Sequence, residues 1–252
     1  MPLVGVLLSP AYGIISRLND TLLPSIPIME TLVDHGMPLV FLDHSMAINR
    51  AVPCVGVDHE ELARTAVRFL MEQGHHRIGG RFTAAHSPAA IGRHTGFRAM
   101  LDPAGLYCEK WVGWGESGRQ DQPPADRRLF GPRHARLIAR AVLGMPGEGP
   151  SALVCSSVSL AVEALRVAQD SGYRVPETLS LICLDDAIEL EDTTPRIACV
   201  QYSLREVARV TMDKLSTLMG GEENPTLTED AKMTAMSIVE RDSVRPPATT
   251  TD

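Results

Sequence analysis

Carboxylates that end apolar, strand-like runs are the residues of this chain best suited to chemistry. Asp43 follows Pro38-Leu39-Val40-Phe41-Leu42, and Asp185-Asp186 follows Leu181-Ile182-Cys183-Leu184. In parallel sheets, ligands bind beyond the carboxyl ends of the strands. A carboxylate there accepts paired hydrogen bonds from the hydroxyls of a polar ligand, and Arg93 can donate a planar fork. Each aspartate taken singly is also what a turn or a helix cap requires. Ligand contact and local capping both stay open at this point.

Other patterns are weaker. Gly113-Trp114-Gly115-Glu116-Ser117-Gly118 fits G-x-G-x-x-G, whose glycines bring a pyrophosphate to the start of a helix. Residues 119–124 end in Pro123-Pro124 and cannot open a long helix, so a loop is expected instead. His75, His76, His86 and His94 lack the spacing of a zinc site and read as surface or packing residues. Cys155-Ser156-Ser157 ends a strand before a helix, but no glycine flanks it as a hydrolase elbow demands. The sequence makes no case for an enzyme, a metal or a cofactor. Five cysteines, at 54, 108, 155, 183 and 199, include no C-x-x-C pair and are expected as buried, reduced thiols.

The elements that must position these residues alternate. Leu3 to Leu8, Pro38 to Leu42 and Val52 to Val57 are short apolar runs, as expected of strands covered on both faces. Asp58 with Glu61 resembles a capping box before a helix whose apolar side is Leu62, Ala66, Phe69 and Leu70, stopped at Gly74. A second unit runs from the strand Ala152 to Cys155, through a helix from Ser159 to Asp170, to the strand Leu179 to Leu184. A third helix starts at Ser203, with Glu206 completing S-x-x-E, and a last strand lies near Met236 to Val239. This βαβ rhythm predicts parallel sheets with right-handed crossovers. Residues 115–132, 144–150 and 222–232 read as loops or connections.

Composition narrows the class. At 252 residues with 44% hydrophobic, the chain can bury a substantial core. No apolar run reaches the roughly 18 residues of a membrane span. Met1-Pro2 lacks the basic start of a signal peptide, so a cytoplasmic protein is expected. The net charge of −7 argues against unaided binding to nucleic acid.

Taken together the segments resemble a family. Gly36-Met37-Pro38-Leu39-Val40-Phe41-Leu42-Asp43 is similar to the "G-I-P-V-V-x-x-D" segment of LacI/GalR-type transcriptional regulators. Val55-Gly56-Val57-Asp58 and Gly74-His75-His76-Arg77-Ile78 resemble "V-x-x-D" and "G-H-R-R-I". Arg93 to Phe97 resembles "R-x-x-G-F", and Ala152 to Ala161 resembles "A-I-F-x-x-N-D-x-x-A". Gly172 to Glu177, Asp185-Asp186 and Pro195 resemble "G-x-x-V-P-x-D … G-F-D-D … P", and Glu240-Arg241-Asp242-Ser243 resembles the terminal "V-R-D-S".

The resemblance implies an α/β fold of the periplasmic-binding-protein-like type I. Two doubly wound parallel-sheet lobes are joined by crossover strands, and a sugar or nucleoside-like effector lies in the cleft between them. It implies a homodimer, and effector contacts at Asp43, Arg93 and Asp185. The expected lobes are residues 1–56 with 197–222 and residues 57–196 with 223–245, followed by a disordered tail at 246–252. Leu3 to Pro10 matches the family's third strand, so the first lobe is expected to be incomplete by about 55 residues. No helix-turn-helix precedes Val4, so DNA would be read only through a segment this chain does not carry.

The site itself departs from the pattern. Ser157-Val158 replaces Asn-Asp, Cys183-Leu184 replaces Gly-Phe, and Ile197-Ala198-Cys199 replaces Leu-Thr-Thr. Ser157 and Trp114 are further candidate contacts, Trp114 either stacking on a ligand or packing inside. The expected function is an effector-binding and dimerisation module of a LacI-type regulator. The alternative is a stand-alone small-molecule binder, or a non-binding remnant that only pairs with a partner.

Overall fold

The structure is a computed structural model that describes residues 6–8, 15–18, 21–43, 51–84, 88–115, 139–144, 148–220 and 230–247. Expectations for residues 3–5, 116–132, 145–147, 222–229 and 248–252, and for His86, fall outside the described residues. The chain divides into two compact units, 1–58 with 202–235 and 59–201 with 236–252.

The first unit carries a four-stranded sheet of β1 (Val6–Leu8), β4 (Leu39–Leu42), β5 (Cys54–Val57) and β11 (Ala231–Met233). They lie in the order β1-β4-β5-β11, and every pairing is parallel. Alternation along β4 sends side chains to both faces. Leu39 and Phe41 pack with Met29 and Val33 of α1 (Ser25–Asp34), whereas Val40 packs with Leu215 of α5 (Leu204–Met219). This is the two-sided burial that the continuous apolar runs predict. Ser203 Oγ accepts the Glu206 N–H at 3.1 Å, so the S-x-x-E signal does start α5. β2 (Ile15–Leu18) and β3 (Thr21–Pro24) pair as antiparallel strands that the apolar periodicity does not announce.

In the second unit, six strands lie in the order β12-β10-β9-β8-β6-β7. These are β6 (Ile78–Ala84), β7 (Val112–Gly115), β8 (Ala152–Cys155), β9 (Ser180–Cys183), β10 (Ala198–Tyr202) and β12 (Met236–Val239). The strands from β7 to β10 are parallel. The helices are α2 (His59–Glu72), α3 (Pro88–Leu101) and α4 (Val158–Asp170). Strand pairing corrects the expected lobes. Ala198 and Cys199 pair with β9, so the segment from 197 stays in the second unit until Tyr202. β11 pairs with β5, so residues 231–235 return to the first unit and not the second. Helix caps and glycines mark where elements end. Which sheet edge accepts a strand is a long-range choice.

Four cysteines are buried and Cys108 is half-buried. Cys155, Cys183 and Cys199 stand side by side on β8, β9 and β10, in register. Burial raises the thiols of Cys54, Cys155 and Cys199 to about 12, which keeps them protonated. The Gly113-Trp114-Gly115 part of the glycine pattern lies on strand β7 rather than in a loop, so its glycines do not form a strand-to-helix turn. No helix among the described residues is long and apolar enough to cross a membrane.

His75 is buried and His76 beside it is exposed. His75 Nδ1 meets Ser151 Oγ at 2.9 Å, and Nε2 meets Ser180 Oγ and the Arg245 carbonyl at 3.0 Å each. Burial holds its imidazole below the usual 6.5. The unfolded chain takes up a proton near that value and the folded protein resists it. Stability is therefore complete above 6.5 and is lost as pH falls toward the lowered folded value. Denaturant unfolding at about pH 7.5 and about pH 5.5 should show this loss, with a shallower slope in His75→Gln. Equal slopes would remove His75 from the pH dependence.

Arg81 on β6 is fully buried. Burial pulls its guanidinium below its ordinary range, against the opposing pull of Cys155 and of Glu163 on α4. Glu163→Gln should lower the unfolding free energy, because it removes a negative charge that offsets part of the cost of burying Arg81. Adding Arg81→Met should recover most of that loss in a double-mutant cycle.

Candidate functional site

Arg93 and Asp185 are brought onto one another in the second unit. Arg93 reaches outward from α3, whose Gly96 lets the helix lie against the first turn of α2. A Cβ at position 96 would sit 2.0 Å from the Glu60 carbonyl oxygen, so no larger residue fits there without moving α2. Asp185 lies two residues past the end of β9. The Leu184 N–H bonds the Cys155 carbonyl at 2.9 Å and so fixes the departing chain.

The pair is a two-pronged fork. Nη1 of Arg93 donates to Oδ2 of Asp185 at 2.9 Å, and Nη2 donates to Oδ1 at 2.8 Å. Nη1 also donates to the Ser156 carbonyl, and Nε points at His59 Nδ1 at 3.4 Å. The two side chains are unequally accessible, Arg93 being 10% exposed and Asp185 27%. The solvent-facing part of the pair is therefore the carboxylate. Two of the roughly four lone-pair positions of Asp185 face Arg93, which leaves acceptor capacity toward solvent.

Beside the pair runs an open groove of about 830 Å³ between α4 and the segment 189–193. Ser157, Glu163, Arg166, Asp185, Glu189 and Thr193 are among its lining residues. Ser157 is also the N-cap of α4. Its Oγ accepts the Leu160 N–H at 3.5 Å and lies 3.3 Å from Ser159 Oγ. The lining mixes hydroxyls and carboxylates, which accept hydrogen bonds from ligand hydroxyls, with the apolar side chains of Val158 and Val162 and the cation of Arg166.

Trp114 is placed among aromatic rings. It lies 5.2 Å from Phe82 and 4.8 Å from His94, centroid to centroid. His94 Nε2 meets the Tyr107 hydroxyl at 3.2 Å, and that hydroxyl donates to Glu109 at 2.6 Å. Burial and then the bond to Glu109 push the Tyr107 phenol up to about 12. The half-buried Trp114 ring thus packs against Phe82 and His94 at the edge of the second unit's sheet. Among the described residues no group of three or more acidic, histidine or cysteine side chains is arranged to hold a metal ion.

Asp43 belongs to the first unit. Its φ of 68° lies in the left-handed region, which aspartate tolerates better than most residues. Its N–H bonds the Val55 carbonyl at 2.8 Å. Gly56 makes the turn possible, because a Cβ there would lie 2.7 Å from the Asp43 Cα. The side chain of Asp43 is exposed at the end of β4.

Sequence reasoning named Ser156 only within a rejected hydrolase elbow and Asp186 only as the second strand-end acid, and gave neither the role the structure shows. Ser156 contributes a backbone carbonyl, which no residue type announces. Asp186 was visible as the second acid of a pair, but its partner Arg241 is 55 residues away in sequence.

Comparison with known proteins supplies the family. Residues 67–244 match the family model described as a periplasmic binding protein-like domain. The HTH-type transcriptional regulator GalR of Streptococcus thermophilus is 28% identical over 197 residues, covering 76% of this chain and 55% of that protein. The chain thus spans about half the length of that curated relative. A LacI-family transcriptional regulator from Mycobacterium smegmatis has a similar structure, with a TM-score of 0.70 and 26% identity, covering 97% of this chain and 80% of that one. A sugar-binding LacI-family regulator from Escherichia coli, complexed with phosphate, shares the fold with a TM-score of 0.72 at 22% identity over 97% of this chain and 78% of that one. This chain belongs to the periplasmic binding protein-like domain family, as an effector-binding domain of the LacI/GalR-type transcriptional regulators.

Proposed function

We propose that the chain binds a polyhydroxylated small molecule, a sugar or a nucleoside-like compound, and that Asp185 is its principal contact. The observation that carries this is the partly exposed carboxylate of Asp185, backed by the nearly buried Arg93 fork at the carboxyl end of β9. A ligand hydroxyl donates to Asp185, while the two-pronged bond from Arg93 holds that carboxylate in place. Ser157 adds a hydroxyl, and Asp43 is proposed as a contact from the first unit on the strength of the family resemblance. The relative described as sugar-binding supports the ligand class. In this reading the chain works in the cytoplasm as a homodimer, without catalysing a reaction. Effector occupancy would be read out through helix-turn-helix binding to DNA, as the name of the curated relative indicates for that protein.

A second reading is favoured by Ser157-Val158 alone. Where the family pattern has an amide and a carboxylate, this chain has a hydroxyl engaged in capping and an apolar side chain. Under that reading the chain pairs with a partner and binds no effector.

Thermal-shift screening with cellobiose, D-galactose, D-ribose and cytidine separates the two. Saturable stabilisation supports the receptor, and silence with dimerisation retained supports the remnant. With the saccharide or nucleoside that binds, Arg93→Ala and Asp185→Asn should each weaken affinity by about 2–4 kcal/mol in calorimetric titration. Arg93→Ala should also lower the melting temperature more than Asp185→Asn does, since Arg93 is the more buried partner. Unchanged affinity in both variants would overturn the assignment.

A further inference from the structure

We propose that Arg241, remote from Asp185 in sequence, is a positioning residue for it, an inference that rests on the effector-contact role given to Asp185 above. Arg241 is 7% exposed and lies just past the end of β12. Its Nη2 donates to Oδ1 of Asp186 at 2.9 Å and to Glu191 at 3.0 Å. Its Nη1 donates to the Ile197 carbonyl at 2.9 Å and to Cys199 Sγ at 3.2 Å. Asp186 further accepts from Cys199 Sγ and from Gln201 Nε2, at 3.1 Å each. Burial alone would raise the Asp186 carboxyl. The bonds from Arg241 and Cys199 outweigh it and hold the carboxyl below the usual range.

The consequence falls on the residue in between. Asp185 is flanked by a backbone anchor at Leu184 and by the side-chain anchor at Asp186, so its backbone has little freedom. Arg241 is itself secured by its neighbours. Ser243 Oγ donates to the Leu181 carbonyl at 2.6 Å and accepts the Ala198 N–H at 2.8 Å, and Asp242 pairs with Arg196 at 2.7 Å. The Arg-Asp-Ser triplet thus stitches β9, β10 and the strand-end turn together, and Arg241 is the member that reaches the turn. Without its cation, Asp186 keeps only its bonds from Cys199 and Gln201, and the turn loosens. Lysine supplies charge but not the planar fork that spans a carboxylate and a carbonyl at once.

The test compares Arg241→Met, Arg241→Lys and Asp186→Asn with Asp185→Asn, in full-length chain shown to be folded by circular dichroism. In the ligand-free protein, NMR of the Arg93 side-chain N–H groups should show faster solvent exchange in Arg241→Met and Asp186→Asn, and partial protection in Arg241→Lys. Binding of whichever of cellobiose, D-galactose, D-ribose or cytidine stabilises the wild type should weaken about tenfold or more in Arg241→Met, with partial rescue by lysine. If Arg241→Met fails to fold, Asp186→Asn carries the same expectation. Unaltered Arg93 exchange in the folded variants overturns the positioning role, whatever binds. Loss of binding in Asp185→Asn with none in Arg241→Met overturns it as well. Unchanged binding in Asp185→Asn would instead overturn the effector reading.

Discussion

A guanidinium held at one-tenth exposure must be met by acceptors, and Arg93 imposes that demand on the second unit. The strand-end turn carrying Asp185 has to arrive where its carboxylate can take both prongs. The Ser156 carbonyl, just past β8, has to point at the same nitrogen. Both requirements are met because β8 and β9 are parallel and in register, so their carboxyl ends open on one side. The helix carrying Arg93 is placed by close contact with α2, which a missing side chain at Gly96 permits. The placement of Asp185 and Ser156 is thus tied to one buried cation.

Three buried arginines in this unit show three ways of meeting such a demand. Arg93 is matched by a single two-pronged carboxylate whose outer side remains accessible, an arrangement open to a ligand. Arg241 is matched by two carboxylates, a carbonyl and a thiol, an arrangement that fixes a turn. Arg81 is surrounded by the sheet and α4, where Glu163 offsets only part of the cost of burial. The first is suited to recognition and the second to rigidity.

Much of this was legible in the residues. Ala152 to Cys155 and Met236 to Val239 form strands with the expected bounds, and Ser203 caps its helix as the S-x-x-E spacing requires. Those signals are local, carried by periodicity and by side chains that bond their own neighbours. Strand partnership is not local. Nothing near Ala198 or Ala231 says which sheet edge is vacant, and both segments lie in the unit opposite to the one their flanking signals suggest. At the site, residue type identified Asp185 and Arg93 but not their mutual pairing. Glu240 to Ser243 was recognisable as a motif, yet its work is visible only once Arg241 is seen beside Asp186.

The cysteines extend beyond packing. Cys54 lies in the sheet of the first unit, whereas Cys155, Cys183 and Cys199 form a row across the sheet of the second. Because each is buried and protonated, none reacts until its own sheet opens. Their alkylation therefore acts as two clocks in one polypeptide. The rate at Cys54 times the opening of one half, and the rate along the row times the other, so the two halves can be ranked in local stability without separating them.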